Sequence, residues 1–304
     1  MQPVISVAGL TKEFSQVKAV NDLSFTVHQA EVYGFLGQNG AGKSTTIRML
    51  LTLVQPTSGT IRIFGEDLRT RRREILRQTG AIIEKPDLYK YLSAYENLEA
   101  FARLSGIKAS KTALMDQLQR VGLAERAHSK VKTFSQGMKQ RLGIAVALVH
   151  DPQLVVLDEP TNGLDPQGIA DIRNLILHLS RDLRKTVFIS SHLLTEIEQV
   201  ATRVLILDKG KKIVEGSINE MIDPANTFIR LTTSDDDGCY RLLQRSPDWS
   251  SHLLPIGTGY ISMKLHRDKI PVLVTWLVQQ GIGIYSLQQQ NSLEDYFLSI
   301  TGAN

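Results

Sequence analysis

Hydrophobic residues in this chain fall into short runs punctuated by glycine, proline and polar turns, and the period of those runs changes along its length. Near the start, Ile5–Val7, Leu23–Val27 and Glu31–Leu36 read as strands, the last leading through GQNGAGKST into a helix from Lys43 to about Leu53. Gln55–Gly59, with Pro56 and Gly59, reads as a turn before a strand at Thr60–Phe64, and Ala81–Ile83 reads as a further strand. The pattern then changes to helices over Ala94–Leu104, Thr112–Val121 and Gln136–Val149. Strand patterns return at Leu154–Leu157, Thr186–Ile189 and Val204–Leu207. These later runs are almost wholly β-branched or leucine, as expected when helices cover both faces of a sheet.

The pattern changes again near Met221: strand at Thr227–Leu231, helix at Tyr240–Arg245, two strands within His252–Leu265, helix at Pro271–Gln280, strand at Gly283–Leu287 and a closing helix at Leu293–Ile300. The acidic Asp235–Asp237 reads as a surface turn. The expectation is an α/β domain over 1–220, with a helical subdomain inserted at about 84–151, and a small α+β appendage over 221–304.

Composition narrows the function classes. A hydrophobic share of 42% and a charged share of 22% are those of a soluble globular protein. The apolar stretch Leu142–Val149 is far short of the roughly 20 residues a membrane helix needs, and MQPVISVAGL lacks the basic start and long apolar run of a signal peptide. Action at a membrane would therefore need another polypeptide. The single Cys239 excludes an internal disulfide and suits a reducing compartment. A net charge of +4 and a pI near 9.1 suit a protein that handles polyphosphate near an anionic membrane face, and would equally allow nucleic acid. The basic cluster Arg69–Arg73 lies on a short predicted helix with Ile75 and Leu76. No aromatic residues interleave with it, so it reads as a solvated helix face and no nucleic-acid partner is expected.

The candidate chemistry begins at Gly37. Gly37, Gly42, Lys43 and Ser44 match G-x-x-x-x-G-K-[ST] between a strand and a helix, the context that motif requires. Glycines let backbone N–H groups wrap phosphates, with the helix N-terminus adding attraction. Asn39, Gly40 and Thr45 belong to the same cradle, Lys43 would reach the β- and γ-phosphates, and the Ser44 hydroxyl would ligate Mg²⁺. Asp158 and Glu159 follow the apolar strand Leu154–Leu157, at the sheet edge where ligands of such sheets bind. One acid could hold the metal shell and the other accept a proton from water. Alone, adjacent acids there could be only a solvated strand end, and Ser135 with Gly137 at the start of the helix Gln136–Val149 could be only an N-cap.

Taken in order, GQNGAGKST, FSQGMKQ (Phe134–Gln140) and VVLDEPTNGLDP (Val155–Pro166) resemble the ATP-binding subunit of an ATP-binding cassette (ABC) transporter. The resemblance implies a P-loop NTPase core that binds ATP and Mg²⁺ and hydrolyses ATP. It matches Asp158 to the family's Walker B aspartate, Glu159 to its catalytic glutamate and His192, in SSHLL, to its switch histidine. Asp165 matches the loop that touches the opposite subunit. Phe134–Met138 stands where the family signature LSGGQ falls; Ser135 and Gly137 fit it, while Phe134, Gln136 and Met138 depart. That signature implies a homodimer closing on ATP, with Ser135 and Gly137 offering donors to a γ-phosphate held by the partner. Phe14 matches the aromatic that stacks on adenine, though a buried core phenylalanine is an alternative.

Where most relatives carry glutamine, this chain has Glu84, in TGAIIEKPDLYKYLSAYENL. With FSQGMKQRLG and LEDYFLSITG, that residue resembles the ATPases of bacitracin-resistance and lantibiotic-immunity exporters and related drug exporters. The resemblance implies a metal or water contact for Glu84, an integral membrane permease as partner, and a peripheral location on the cytoplasmic face of the cell membrane. Tyr89 and Tyr91 would then suit docking of a permease helix. It further implies efflux of a peptide antibiotic or other amphipathic drug. The alternatives are a soluble ABC ATPase of the translation or repair type, or the ATPase of an importer. The first would carry two cassettes or a long coiled coil, and the second a larger C-terminal domain than Met221–Asn304 provides.

Overall fold

Alternating β-branched and polar residues build a long antiparallel hairpin from β1 (Pro3–Phe14) and β2 (Val17–His28), with Ile5, Leu10, Leu23 and Val27 fully buried. The expected strands at Ile5–Val7 and Leu23–Val27 are the buried centres of these longer ones. Their polar, irregularly registered ends carry no hydrophobic run. The computed structural model describes residues 2–222, 226–254, 259–290 and 293–294. The chain divides into two compact units, Met1–Gly216 and Ser217–Asn304, just before the expected boundary at 220/221.

In the first unit the hairpin leads to β3 (Val32–Leu36), α1 (Lys43–Leu50), β4 (Ser58–Ile63), β5 (Glu66–Asp67), α2 (Arg72–Leu76) and β6 (Thr79–Ile82). The helical insertion follows as α3 (Ala94–Leu104), α4 (Lys111–Arg120) and α5 (Gln136–Ala147). The chain then returns through β7 (Leu154–Asp158), α6 (Pro166–Arg181), β8 (Thr186–Ser191), α7 (Leu194–Glu198), β9 (Arg203–Asp208) and β10 (Lys211–Ser217). These strands form two sheets, one ordered β2-β1-β4-β5 and one ordered β10-β9-β3-β8-β7-β6. Within the larger sheet, β9, β3, β8, β7 and β6 pair in parallel. Phe25 of the hairpin lies 5.8 Å from the Tyr33 ring, 5.7 Å from Phe35 and 6.0 Å from Phe188, so aromatic packing joins the two sheets.

The hydrophobic-run reading assigned no helix to Pro166–Arg181, where α6 forms. Asp165 accepts a hydrogen bond from Gly168 N at 3.0 Å, Pro166 opens the first turn, and Ile172, Leu175, Ile176 and Leu179 repeat at helical spacing on the buried face. The aspartate-proline start was the legible signal. In the insertion, Ser93 and Glu96 form a reciprocal cap at the head of α3.

The second unit contains α8 (Ile218–Met221), β11 (Asn226–Thr233), α9 (Asp236–Arg245), β12 (Ile261–His266), α10 (Lys269–Gln279) and β13 (Ile284–Gln290). Its sheet is antiparallel, ordered β12-β11-β13. Its core joins Ile229, Leu231 and Met263 to Cys239, Leu243, Leu273 and Leu277 from the two longer helices, and Trp249 closes it. The acidic run is a helix start and not a simple turn. Asp235 caps α9 through Gly238 N, and Asp236 accepts from both Thr233 N and Thr233 Oγ1. Of the two strands expected within His252–Leu265, the described residues show one, at Ile261–His266, with Leu253 in an isolated bridge to Met263 and Ser250–His252 in a short 3₁₀ turn; residues 255–258 lie outside the described residues. Leu293 and Glu294 are helical; the rest of the expected closing helix lies outside the described residues.

Candidate functional site

Because β3, β8, β7 and β6 are neighbours and run in parallel, their carboxyl ends share one edge of the sheet. Gly37 follows β3, His192 follows β8, Asp158 ends β7, and Glu84 stands just beyond β6. The strand order therefore lines up the four candidate segments where ligands of open α/β sheets bind.

The phosphate cradle is shaped by what its loop cannot hold. Gly42 has φ 107°, and an added Cβ there would fall 2.4 Å from the Ala19 carbonyl oxygen, so only glycine fits. The turn delivers the chain into α1, which Ile47, Met49 and Leu50 anchor in the core. Lys43 at its head is 5% exposed, and its Nζ donates to Gly37 O at 2.7 Å and Gln38 O at 3.4 Å. Ser44 and Thr45 are half-buried in the first turn, while Asn39 and Gly40 are exposed at the loop tip. The fold thus presents first-turn amides and one ammonium around a loop with an open tip, an arrangement suited to an anion.

The carboxylates differ in environment. Asp158 is 1% exposed; its Oδ1 accepts from Ser190 Oγ at 2.6 Å, and its Oδ2 is buried without a partner among the described residues. A buried carboxylate oxygen left unpaired is costly, and a divalent cation or a cation-bound water would complete it. With the half-buried Ser44 hydroxyl, this donor set fits Mg²⁺.

Glu159 adopts φ 49°, a left-handed conformation that non-glycine residues rarely take. Its N–H donates to Ser190 Oγ at 3.0 Å, its Oε1 lies 3.1 Å from Lys43 Nζ, and its Oε2 lies 2.7 Å from His192 Nδ1. Lys43, Glu159 and His192 are therefore one contact cluster, and Ser190 ties Asp158 to the Glu159 backbone. Sequence reading missed Ser190. The signal was a serine pair ending an otherwise apolar buried strand.

The remaining candidates lie apart from that cluster: no hydrogen bond or ion pair among the described residues joins Phe14, Ser135 or Gly137 to it. Ser135 is exposed and its Oγ accepts from Met138 N at 3.2 Å, so it caps α5; Gly137 follows in the first turn. Phe14 is no core residue. It is 46% exposed at the tip of the β1–β2 hairpin, with Lys12 Nζ 4.7 Å from its ring centroid. Glu84 also has a left-handed backbone, φ 58°, and its Oε1 lies 2.5 Å from Arg48 of α1. Just beyond it, Pro86 presses on Gly143 of α5, where an added Cβ would lie 2.6 Å from the proline ring. Asp165 has no role in this cluster and caps α6.

A parallel sheet with a phosphate loop after one strand and a carboxylate pair after another defines a nucleoside-triphosphate-binding protein. Comparison with known proteins carries this further. The sequence model of the ABC transporter family matches residues 20–162. The bacitracin transport ATP-binding protein of Bacillus licheniformis is 42% identical, over 99% of this chain and 98% of its own length. An ABC transporter ATP-binding protein of Bacillus subtilis is 41% identical over 99% and 97%. The lantibiotic transport ATP-binding protein of Streptococcus pyogenes is 41% identical over 70% of this chain and 90% of its own length. Among solved structures, an ATP-binding subunit of an ABC transporter aligns with TM-score 0.63 and 30% identity, covering 72% of this chain and 91% of that one. The chain belongs to the ABC transporter family of ATP-binding, ATP-hydrolysing subunits.

Proposed function

We propose that this chain powers a bacterial exporter by hydrolysing ATP as a homodimer, docked on the cytoplasmic face of the cell membrane against a separate integral membrane permease. The carrying observation is the Lys43–Glu159–His192 cluster beside the buried, half-satisfied Asp158. Support for the cargo class comes from the near full-length likeness to a bacitracin transport ATP-binding protein. A peptide antibiotic or other amphipathic drug is the substrate class that reading favours. No helix among the described residues is long and apolar enough to cross a membrane.

The residues act as follows. The loop amides and Lys43 bind the β- and γ-phosphates, which compete with Glu159 for the Lys43 ammonium. That exchange frees Glu159 Oε1 to accept the proton of the attacking water, while His192 steadies the other oxygen. Ser44 and Asp158 would hold Mg²⁺, which, when bound, offsets phosphate charge; Glu84 would contact its water shell. Phe14 offers an exposed ring for the adenine. Ser135, exposed at the head of α5, and the half-buried Gly137 in its first turn would close on the γ-phosphate of the opposite subunit, so each site would be completed by the partner.

Docking of the permease is assigned to the segment after Glu84. Asn97 of α3 holds the Tyr89 backbone from both sides, accepting from its N–H at 2.9 Å and donating to its carbonyl at 3.0 Å. The Tyr89 and Tyr91 rings remain exposed, as an apolar docking patch requires.

The test is co-expression with a candidate integral membrane permease in a bacitracin-sensitive host. The permease should co-purify with the chain and raise bacitracin tolerance, and Lys43→Ala should abolish the tolerance while the complex persists. A chain that never co-purifies with a membrane protein, yet hydrolyses ATP, would return the reading to a non-transport ATPase.

A further inference from the structure

A hydroxyl and a guanidinium on one face of α1 frame the approach to the site. Ser44 and Arg48 are four residues apart on that helix, so their side chains are neighbours one turn from each other. Arg48 NH2 donates to Glu84 Oε1 at 2.5 Å. Glu84 makes this contact from a left-handed backbone, φ 58°, a conformation that costs a side-chain-bearing residue free energy unless its surroundings hold it. Those surroundings are visible on both sides: the guanidinium on one, and on the other the Pro86 ring seated against Gly143 of α5.

We propose that Arg48 is a positioning residue that competes with the metal shell for the Glu84 carboxylate, so that Glu84 reports nucleotide state by exchanging one cation for the other. The inference rests on the reading of Glu84 as a contact to Mg²⁺-bound water and adds the group that opposes it. A carboxylate is suited to such an exchange because both partners are cationic, whereas a glutamine in its place would pair with neither at full charge. The Arg48 and Glu84 side chains are 43% and 64% exposed, so the pair is weak enough to yield to a divalent cation. Because Pro86 and the exposed Tyr89 and Tyr91 follow within the same segment, release of Glu84 from Arg48 would loosen the head of the segment proposed to meet the permease, whose later part Asn97 continues to hold.

The test is equilibrium binding of a fluorescent ATP analogue to the full chain, titrated with Mg²⁺, in a double-mutant cycle of Arg48→Met and Glu84→Gln. Thermal melts of each variant confirm folding. Arg48→Met should raise apparent Mg²⁺ affinity about two- to five-fold, the range of exposed ion pairs, and Arg48→Lys should restore much of the competition. In the Glu84→Gln background the same Arg48→Met change should have no effect. An equal effect of Arg48→Met in both backgrounds, or none in either, overturns the exchange. If Glu84→Gln by itself leaves Mg²⁺ affinity unchanged, the metal-shell reading of Glu84 falls, and the exchange falls with it. If Glu84→Gln shifts the affinity and Arg48→Met does not, only the role of Arg48 is lost. Should Arg48→Met fail to fold, Arg48→Gln repeats the cycle with a shorter polar side chain.

Discussion

Lys43 Nζ lies 3.1 Å from Glu159 Oε1, so the ammonium proposed to bind phosphate and the carboxylate proposed to accept the proton hold each other. The same ammonium donates to the Gly37 carbonyl at 2.7 Å, and His192 holds the second Glu159 oxygen. On the proposed roles, ATP would have to trade with contacts already made, which would tie availability of the base to arrival of the phosphates.

Deleting the ammonium should show this directly. Lys43→Ala removes the charge that neutralises the transferring phosphoryl group, so ATP affinity should drop at least about ten-fold and turnover should fall to background. Fluorescent-nucleotide binding and phosphate release in the same preparation check it. Near-normal hydrolysis would remove the basis for the site.

Glu159→Gln keeps shape while removing the proton acceptor. Turnover should fall roughly 10²–10⁴-fold with ATP binding retained. With ATP and Mg²⁺ the variant should elute as a dimer on size-exclusion chromatography, because Ser135 and Gly137 are proposed to engage the opposite subunit's nucleotide. A monomer that demonstrably holds ATP would argue against the shared site.

Ser190 is the hidden support of the carboxylate pair. Ser190→Ala leaves both oxygens of the buried Asp158 without a protein donor and takes the acceptor from the Glu159 N–H. Stability should drop by about 1–3 kcal/mol, measured by urea unfolding. Mg²⁺ with ATP should recover part of the loss, since a cation at Asp158 offsets the missing bond.

Cys239 is buried in the core of the second unit, and its thiol is pushed up to about 11, chiefly by burial. The thiolate is the reactive form, so at pH 8 iodoacetamide should leave the native chain unmodified over hours and label it quickly in denaturant. As pH rises toward 11 native labelling should increase. Fast labelling at pH 8 would show that this core opens readily.

Much of the protein could be read before any fold was known, because some chemistry is local. The phosphate loop needs only consecutive residues, with glycines at fixed offsets and Lys43 opening a helix; its function follows from spacing alone. The apolar run ending in Asp158 and Glu159 likewise carries its own direction, and the caps at Ser93 and Ser135 lie within a turn of what they cap. What the sequence could not state is which strands become neighbours. Pairing order depends on how whole layers bury their faces, and no local pattern encodes it. Only the order β3-β8-β7-β6 sets His192 against Glu159, Ser190 against Asp158 and Glu84 over Arg48, across separations of 33, 32 and 36 residues. The identity of the chemical groups was written along the chain, and their contacts were decided by the packing of a parallel sheet.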